Sequence, residues 1–78
     1  MINAEAILNV AKRYNEAGDD QITQEIVTTL QHSATIARDA ENPETAVANY
    51  LLGLLNDPEV PESYIEVVKS VNHLIELV

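Results

Sequence analysis

The side chains of this sequence that could most readily bind an ion or a charged partner are its carboxylates. The 78 residues include thirteen aspartates and glutamates but only four lysines and arginines, so the formal net charge is −9. Clustered carboxylates can bind a divalent cation or a basic protein surface. The same charge repels nucleic-acid phosphates and anionic lipid headgroups. We therefore expect a protein partner, and we predict neither direct nucleic-acid binding nor insertion into a membrane.

Six of the carboxylates lie in or beside two predicted turns and form a candidate partner surface: Glu16, Asp19, Asp20, Asp57, Glu59 and Glu62. They would lie at one end of an up-down helical bundle, because the first and third turns of such a bundle do. Their spacing does not match an EF-hand loop, which alternates oxygen ligands and has a glutamate at its twelfth position, so we predict no metal site. Helix capping, compensation of helix dipoles and solubility are the simpler explanation of these residues.

The sequence contains no residue pattern that indicates catalysis. Ser33, Ser63 and Ser70 lack the neighbours of a Gly-x-Ser-x-Gly or Ser-x-x-Lys nucleophile motif. Neither His32 nor His73 belongs to a Glu-x-x-His pair of the kind that binds metals in helical bundles. There is no cysteine, and two glycines are too few for a glycine-rich phosphate loop. We expect a protein without enzymatic activity, metal or cofactor.

Apolar residues recur every three or four positions along the chain, which is the pattern of amphipathic helices. The pattern predicts four helices in a single domain of residues 1–78, with approximate ranges 3–17, 20–41, 43–56 and 61–78. The short turns between these helices favour an antiparallel up-down-up-down four-helix bundle, so we assign the chain to the all-α class. No targeting sequence or membrane span is recognisable, and the expected compartment is the cytoplasm.

Polar residues and prolines mark the expected helix starts. Asn3 and Asp20 can cap the first two helices, and Asn42, which precedes a proline, can cap the third. The fourth helix begins either with Pro61 in its first turn or at Ser63, where a serine and a glutamate three residues later fit a capping box.

The third predicted helix is the most apolar, so we expect it to be the central element, covered on two or three sides. The expected buried stripe of the second helix includes Ile22, Ile26 and Leu30. Four further apolar residues lie off the buried stripes, and we expect some of them to form an exposed patch: Leu8, Val27, Leu52 and Leu77. We add Leu77 to the candidate partner surface.

Several stretches of the chain are similar to a known family. Asn42 and Pro43 open a helix that continues into the leucine-rich residues 51–55, and residues 60–64 lead into the last helix. In these stretches the chain resembles the enterocin A/pediocin-type immunity proteins, small cytosolic helical proteins that protect a producing cell from its own class II bacteriocin. The resemblance implies binding without catalysis, at the cytoplasmic side of a membrane sugar transporter that holds the bacteriocin. A weaker resemblance is to small helical regulators of biofilm formation and acid resistance in enteric bacteria.

The sequence is compatible with three kinds of function. The first is the bacteriocin immunity protein that the resemblance implies. The second is an acidic inhibitor or small regulator, of phage type, whose carboxylates imitate nucleic-acid phosphates and bind a basic protein. The third is a homodimer that associates through the last helix, whose apolar residues have the spacing of a coiled-coil seam.

Overall fold

The structure is a computed structural model that describes residues 3–77, and in this range it consists of four α-helices. The helices are α1 (Ala4–Ala17), α2 (Gln21–Asp39), α3 (Pro43–Asn56) and α4 (Glu62–Glu76). The all-α, four-helix prediction is confirmed. The third helix has the predicted bounds, while the second and fourth end two residues earlier than expected. The predicted last residue of the fourth helix, Val78, lies outside the described residues, and the up-down-up-down order stays a prediction.

The first three helices begin at the predicted capping residues. The side chain of Asn3 accepts the backbone N–H of Glu5 at 2.8 Å. Asp20 accepts both the backbone N–H of Thr23 at 3.2 Å and its hydroxyl at 2.7 Å. Asn42 accepts the N–H of the residue three positions later at 3.2 Å. Each cap satisfies N–H groups that have no partner inside the helix, which is why these residues start helices.

The start of α4 differs from the prediction. The helix begins at Glu62, one residue later than the first predicted alternative, which placed Pro61 in the first turn. Pro61 is instead the N-cap residue. The alternative with a capping box at Ser63 is wrong, because no side-chain hydrogen bond caps this helix. The backbone of Pro61, with φ of −62°, instead positions its carbonyl to accept the N–H of Tyr64 at 2.9 Å.

The central element is α2, so the prediction that α3 is central is wrong. Helix α2 packs against each of the three other helices, whereas α3 packs mainly against α2 and α4. Only Val47 and Leu51 are buried in α3. Average apolarity cannot distinguish a helix side that a neighbour covers from one that stays open, which is why the sequence misled here. Helix α2 contributes the largest group of buried residues: Ile26, Val27, Thr29, Leu30, Ser33, Ala34 and Ala37.

The core around α2 is aliphatic. Its small residues Ala34 and Ala37 allow neighbouring helices to approach closely. Burial of each larger aliphatic side chain contributes on the order of 1.5–3 kcal/mol. The neighbouring helices contribute buried side chains of their own: Ile7 and Ala11 from α1, Val47 and Leu51 from α3, and Val67, Val68, Val71 and Ile75 from α4.

The predicted apolar patch is only partly exposed. Leu52 and Leu77 are exposed as expected, at 54% and 70%. Val27 is buried and Leu8 is half-buried, so only two of the four candidate residues are exposed. Ile22 was expected in the core and is 63% exposed. It lies in the first turn of α2, which at 19 residues is longer than the helices packed against it.

The four helices form a flat arrangement that measures 32 × 31 × 18 Å. This thickness corresponds to about two layers of helices, since one helix with its side chains is about 10 Å across. A thin arrangement leaves each of the four helices, α2 included, with a solvent-facing side.

Replacement of Gly53 by alanine tests how open the outer side of α3 is. Gly53 lies inside the helix, and a Cβ added there would have no atom within 4 Å. We expect Gly53→Ala to raise the free energy of unfolding by about 0.5–1 kcal/mol, because alanine loses less backbone entropy in a helix. Urea unfolding at low protein concentration measures the change.

Gly18→Ala is the matched control. Its added Cβ would lie 3.2 Å from the Asp20 carboxylate that caps α2, so it should give no comparable gain. Destabilisation by Gly53→Ala would show that this side of α3 is not open.

Candidate partner-binding site

The starts of α2 and α4 lie side by side and border an open depression of about 380 Å³. Ile22 is the large apolar side chain in it. The remaining lining residues are polar or acidic: Asp20, Gln21, Glu25 and Ser63. An exposed apolar side chain beside carboxylates makes an amphipathic surface.

A second depression, of about 540 Å³, continues along α4 and shares Ser63 with the first. It is lined by Glu62, Ser63, Ile65, Glu66 and Lys69. We call the two depressions together the acidic groove. Its carboxylates outnumber its basic groups four to one, since Asp20, Glu25, Glu62 and Glu66 face only Lys69. The groove is therefore suited to a cationic partner.

A buried hydroxyl group holds the start of α4 against α2. Thr29 is fully buried, and its hydroxyl donates to the backbone carbonyl of Glu25 at 2.8 Å. The same oxygen lies 2.5 Å from the hydroxyl of Tyr64, which therefore donates to it. Tyr64 follows Ser63 directly in the chain. The hydrogen bond to Thr29 therefore determines which part of α2 lies opposite the groove-lining residues of α4.

Asp20 has two roles, as the cap of α2 and as a carboxylate of the groove. The hydroxyl and the backbone N–H of Thr23 hydrogen-bond to this carboxylate and lower its pKa, against a smaller opposing effect of desolvation. Asp20 is thus charged at neutral pH. Its stabilising contribution is present above the ordinary aspartate pKa and is lost as the pH falls through the lowered value.

The single lysine of the groove is only weakly engaged. Its ammonium lies 3.9 Å from the Glu66 carboxylate, and the two side chains are 63% and 79% exposed. Exposed ion pairs of this kind contribute little to stability. Glu66 therefore stays accessible to a partner.

Two of the six carboxylates predicted as a partner surface, Asp20 and Glu62, line the groove. Asp57 accepts the backbone N–H of Glu59 at 2.9 Å, so this carboxylate stabilises the turn before α4. That role agrees with the simpler explanation of the acidic turns. The other four of the six predicted carboxylates do not line the groove, and all of them are exposed: Glu16, Asp19, Asp57 and Glu59.

Leu77 was predicted as part of the same surface as Glu62. It follows the last residue of α4, whereas Glu62 is the first residue of that helix. At a rise of about 1.5 Å per residue the two are separated by roughly 22 Å. A partner that contacts both would have to extend along the whole of α4.

Sequence reasoning missed seven groove residues. Three of them are Gln21, Ile65 and Lys69, and the other four are the ones on which binding would most depend: Ile22, Glu25, Ser63 and Glu66. Ile22 fits the apolar spacing of α2 and therefore looked like a core residue. Glu25 offered a weak signal, because it lies five residues after the capping residue Asp20, near the same end of α2. The sequence could not show that these four residues lie close together, because their proximity depends on how α4 packs on α2.

A second polar contact joins α2 to α3. The hydroxyl of Tyr50 lies 3.4 Å from Nδ1 of His32. Burial raises the pKa of Tyr50, and the nearby hydroxyl of Tyr64 raises it further. The effect follows from the proximity of Tyr50 on α3 to Tyr64 on α4.

Within residues 3–77 no group of three or more histidine, aspartate or glutamate side chains is placed to share a metal ion. In the same part of the chain, no helix has both the length and the apolar character that crossing a membrane requires.

A pH titration tests the environment of Tyr50. The raised pKa predicts that this hydroxyl ionises above the ordinary tyrosine value of about 10. Its stabilising contribution is then present below the ordinary value and is lost as the pH rises through the raised one. We expect Tyr50→Phe to remove the late step from the tyrosinate absorbance titration, and Tyr14→Phe to retain it. A late step that persists in Tyr50→Phe would contradict the assignment.

Comparisons of the chain with protein-family models, with curated proteins and with solved structures gave no match. The resemblance to bacteriocin immunity proteins therefore stays an expectation from the sequence.

Proposed function

We propose that this chain is a non-catalytic binding protein of the bacteriocin-immunity type, which acts in the cytoplasm and binds a cationic segment of its partner in the acidic groove. The observation that carries the proposal is Ile22, a large apolar residue that is 63% exposed in a groove with four carboxylates. A partner segment with an apolar residue between lysines or arginines would bury Ile22 and pair with these charges.

The sequence resemblance to bacteriocin immunity proteins is the reason for proposing that the binding protein is of this type. Its residues include Asn42 and Pro43, and the chain uses them as the N-cap and first residue of α3. The partner would then be the cytoplasmic side of a membrane sugar transporter with its bound bacteriocin. The groove residues lie outside the stretches that carry the resemblance, apart from Glu62 and Ser63. Partner choice would thus depend on residues other than those that identify the helical pattern.

An acidic inhibitor of a nucleic-acid-binding protein is the second candidate. The observation that favours it is the continuity of the two acidic depressions through Ser63, within a chain of net charge −9. A row of carboxylates can imitate a row of phosphates for a basic protein. Nucleic acid would compete with the chain for such a partner, whereas it would not compete for a transporter–bacteriocin complex.

Expression in a bacteriocin-sensitive strain tests the immunity proposal. We expect the wild-type chain to protect cells against at least one member of a panel of class II bacteriocins. The triple variant Asp20→Asn/Glu25→Gln/Glu62→Gln should lose this protection, because it neutralises three groove carboxylates. Asparagine caps helices as well as aspartate does, so the start of α2 is retained.

The matched control is Glu5→Gln/Glu41→Gln/Glu76→Gln, which changes the net charge equally at residues outside the groove and outside the predicted partner surface. This control should protect as the wild type does. Unchanged sensitivity of cells with wild-type protein to the whole panel would contradict immunity. Capture of a basic nucleic-acid-binding protein, displaced by DNA, would then favour the inhibitor.

Replacement of Ile22 by alanine separates the apolar from the electrostatic part of binding. With a synthetic amphipathic helical peptide of leucine and lysine as the probe, we expect Ile22→Ala to weaken binding by about 1–2 kcal/mol, roughly five- to thirtyfold. The change in net charge is zero, so the salt dependence of binding should be retained. Calorimetric titration at two salt concentrations measures both. Equal affinity of wild type and Ile22→Ala would remove Ile22 from the site.

A further inference from the structure

The acidic groove contains one basic side chain, and that side chain lies towards one end of it. Among residues 3–77, the first depression is lined by two carboxylates and by no lysine or arginine. The second is lined by Glu62 and Glu66 and, further along α4, by Lys69. The three other basic residues of the chain lie outside the groove lining: Lys12, Arg13 and Arg38. The groove therefore has an acidic end at α2 and an end of mixed charge on α4.

Helix geometry places Lys69 in line with the groove carboxylates of α4. Glu62, Glu66 and Lys69 are separated by four and three positions, so they lie on one face of the helix. Ser63 borders both depressions, and Lys69 follows it by six positions, which is about 9 Å along the helix axis. A bound helical segment that covers Ile22 and continues past Ser63 thus reaches position 69 within about two further turns.

The ammonium group of Lys69 is available to a partner. It lies 3.9 Å from the Glu66 carboxylate, and the lysine side chain is 63% exposed. An ion pair with this distance and exposure holds the side chain only weakly. The flexible four-carbon stem of lysine also allows the ammonium group to turn towards a new acceptor. Half-buried Ile65 lines the same depression and offers an apolar contact as well.

We propose that Lys69 determines the orientation of the segment bound in the acidic groove by pairing with a carboxylate at one end of that segment. The inference rests on the proposed function, since it concerns the segment that binds there. The lysines or arginines of the segment face Asp20, Glu25 and Glu62, and its acidic end lies over Lys69. In this orientation the charges of the segment meet opposite charges of the groove.

Repulsion disfavours the opposite orientation. A basic residue over Lys69 would bring two like charges together, and so would an acidic residue over Asp20 and Glu25. Such repulsive contacts are a common source of specificity in binding. The partner segment therefore has one basic and one acidic end, and a uniformly basic surface fits the groove less well.

The contribution of one exposed lysine is small, so the direction of its effect is the informative quantity. Exposed ion pairs change a dissociation constant by roughly 1.5- to fivefold. Salt screens such pairs, so the effect is largest at low ionic strength.

Synthetic helical peptides test the proposal through the effect of Lys69→Gln on their binding. Four peptides of leucine and lysine have equal length. One has no glutamate, and the others have a pair of glutamates in the first turn, in the last turn or at the centre. Each peptide is titrated calorimetrically at low salt against the wild type and Lys69→Gln. Differences in helicity between the free peptides cancel, because each peptide is compared only with itself.

We expect Lys69→Gln to strengthen binding of the peptide without glutamate, because the substitution removes a repulsion. It should weaken binding of at least one peptide with terminal glutamates by about two- to fivefold, because the carboxylate loses its partner. The peptide with central glutamates should not lose affinity, since its carboxylates lie away from position 69.

Lys12→Gln is the matched control, because it makes the same charge change at an exposed lysine of α1 outside the groove. It should change the affinity of all four peptides in the same direction. Unchanged or stronger binding of both terminal-glutamate peptides to Lys69→Gln would overturn the inference. Equal weakening of the central-glutamate peptide would overturn it as well.

The groove variant Asp20→Asn/Glu25→Gln/Glu62→Gln separates failure of this inference from failure of the proposed function. If the wild type binds the peptides and this variant does not, the groove stands as a binding site even where Lys69→Gln has no effect. If the wild type binds none of the four peptides, both the groove and the role of Lys69 are overturned.

Discussion

The packing of α2 against the three other helices is the interaction on which the rest of the structure depends. The chain has no disulfide, and its only aromatic residues are three tyrosines, so aliphatic contacts must supply most of the stability. Helix α2 makes these contacts with alternating large and small residues, such as Leu30, Ala34 and Ala37. Its small side chains bring α1, α3 and α4 close to one axis. The remaining sides of those helices face solvent.

Polar groups within this packing specify the position of α4. Thr29 is fully buried on α2, and its hydroxyl is satisfied by the carbonyl of Glu25 and by the hydroxyl of Tyr64. A different alignment of α4 would leave this buried hydroxyl without the tyrosine. Ser33 needs no such partner, because it donates to the carbonyl of Thr29 in its own helix. This hydrogen bond joins the middle of α2 to the first turn of α4, directly beside the groove residue Ser63.

The surface charge divides the molecule into two kinds of surface. Carboxylates concentrate around the starts of α2 and α4, where helix dipoles favour them and where Asp20 also caps a helix. Residues 45–56 of α3, by contrast, carry no charged side chain. The first kind of surface suits a cationic partner.

Local interactions determined the helices of this protein, and the sequence alone was enough to predict them. Asn3, Asp20 and Asn42 cap helices through hydrogen bonds to residues two or three positions away, so their role is visible in a short stretch of sequence. Two of the groove residues, Asp20 and Glu62, were predicted because they belong to such helix starts. The approximate extent of all four helices followed in the same way from the spacing of apolar residues.

Only the tertiary structure decided which helix is central and which apolar residues are exposed. Val27 and Ile22 are both β-branched aliphatic residues of α2, yet one is buried and the other is 63% exposed. The difference depends on where the neighbouring helices lie, which no property of either residue specifies. The groove likewise joins Glu25 to Ser63, 38 positions apart in the chain. Such a contact depends on how whole helices pack, because their faces can be combined in several ways that bury similar apolar area.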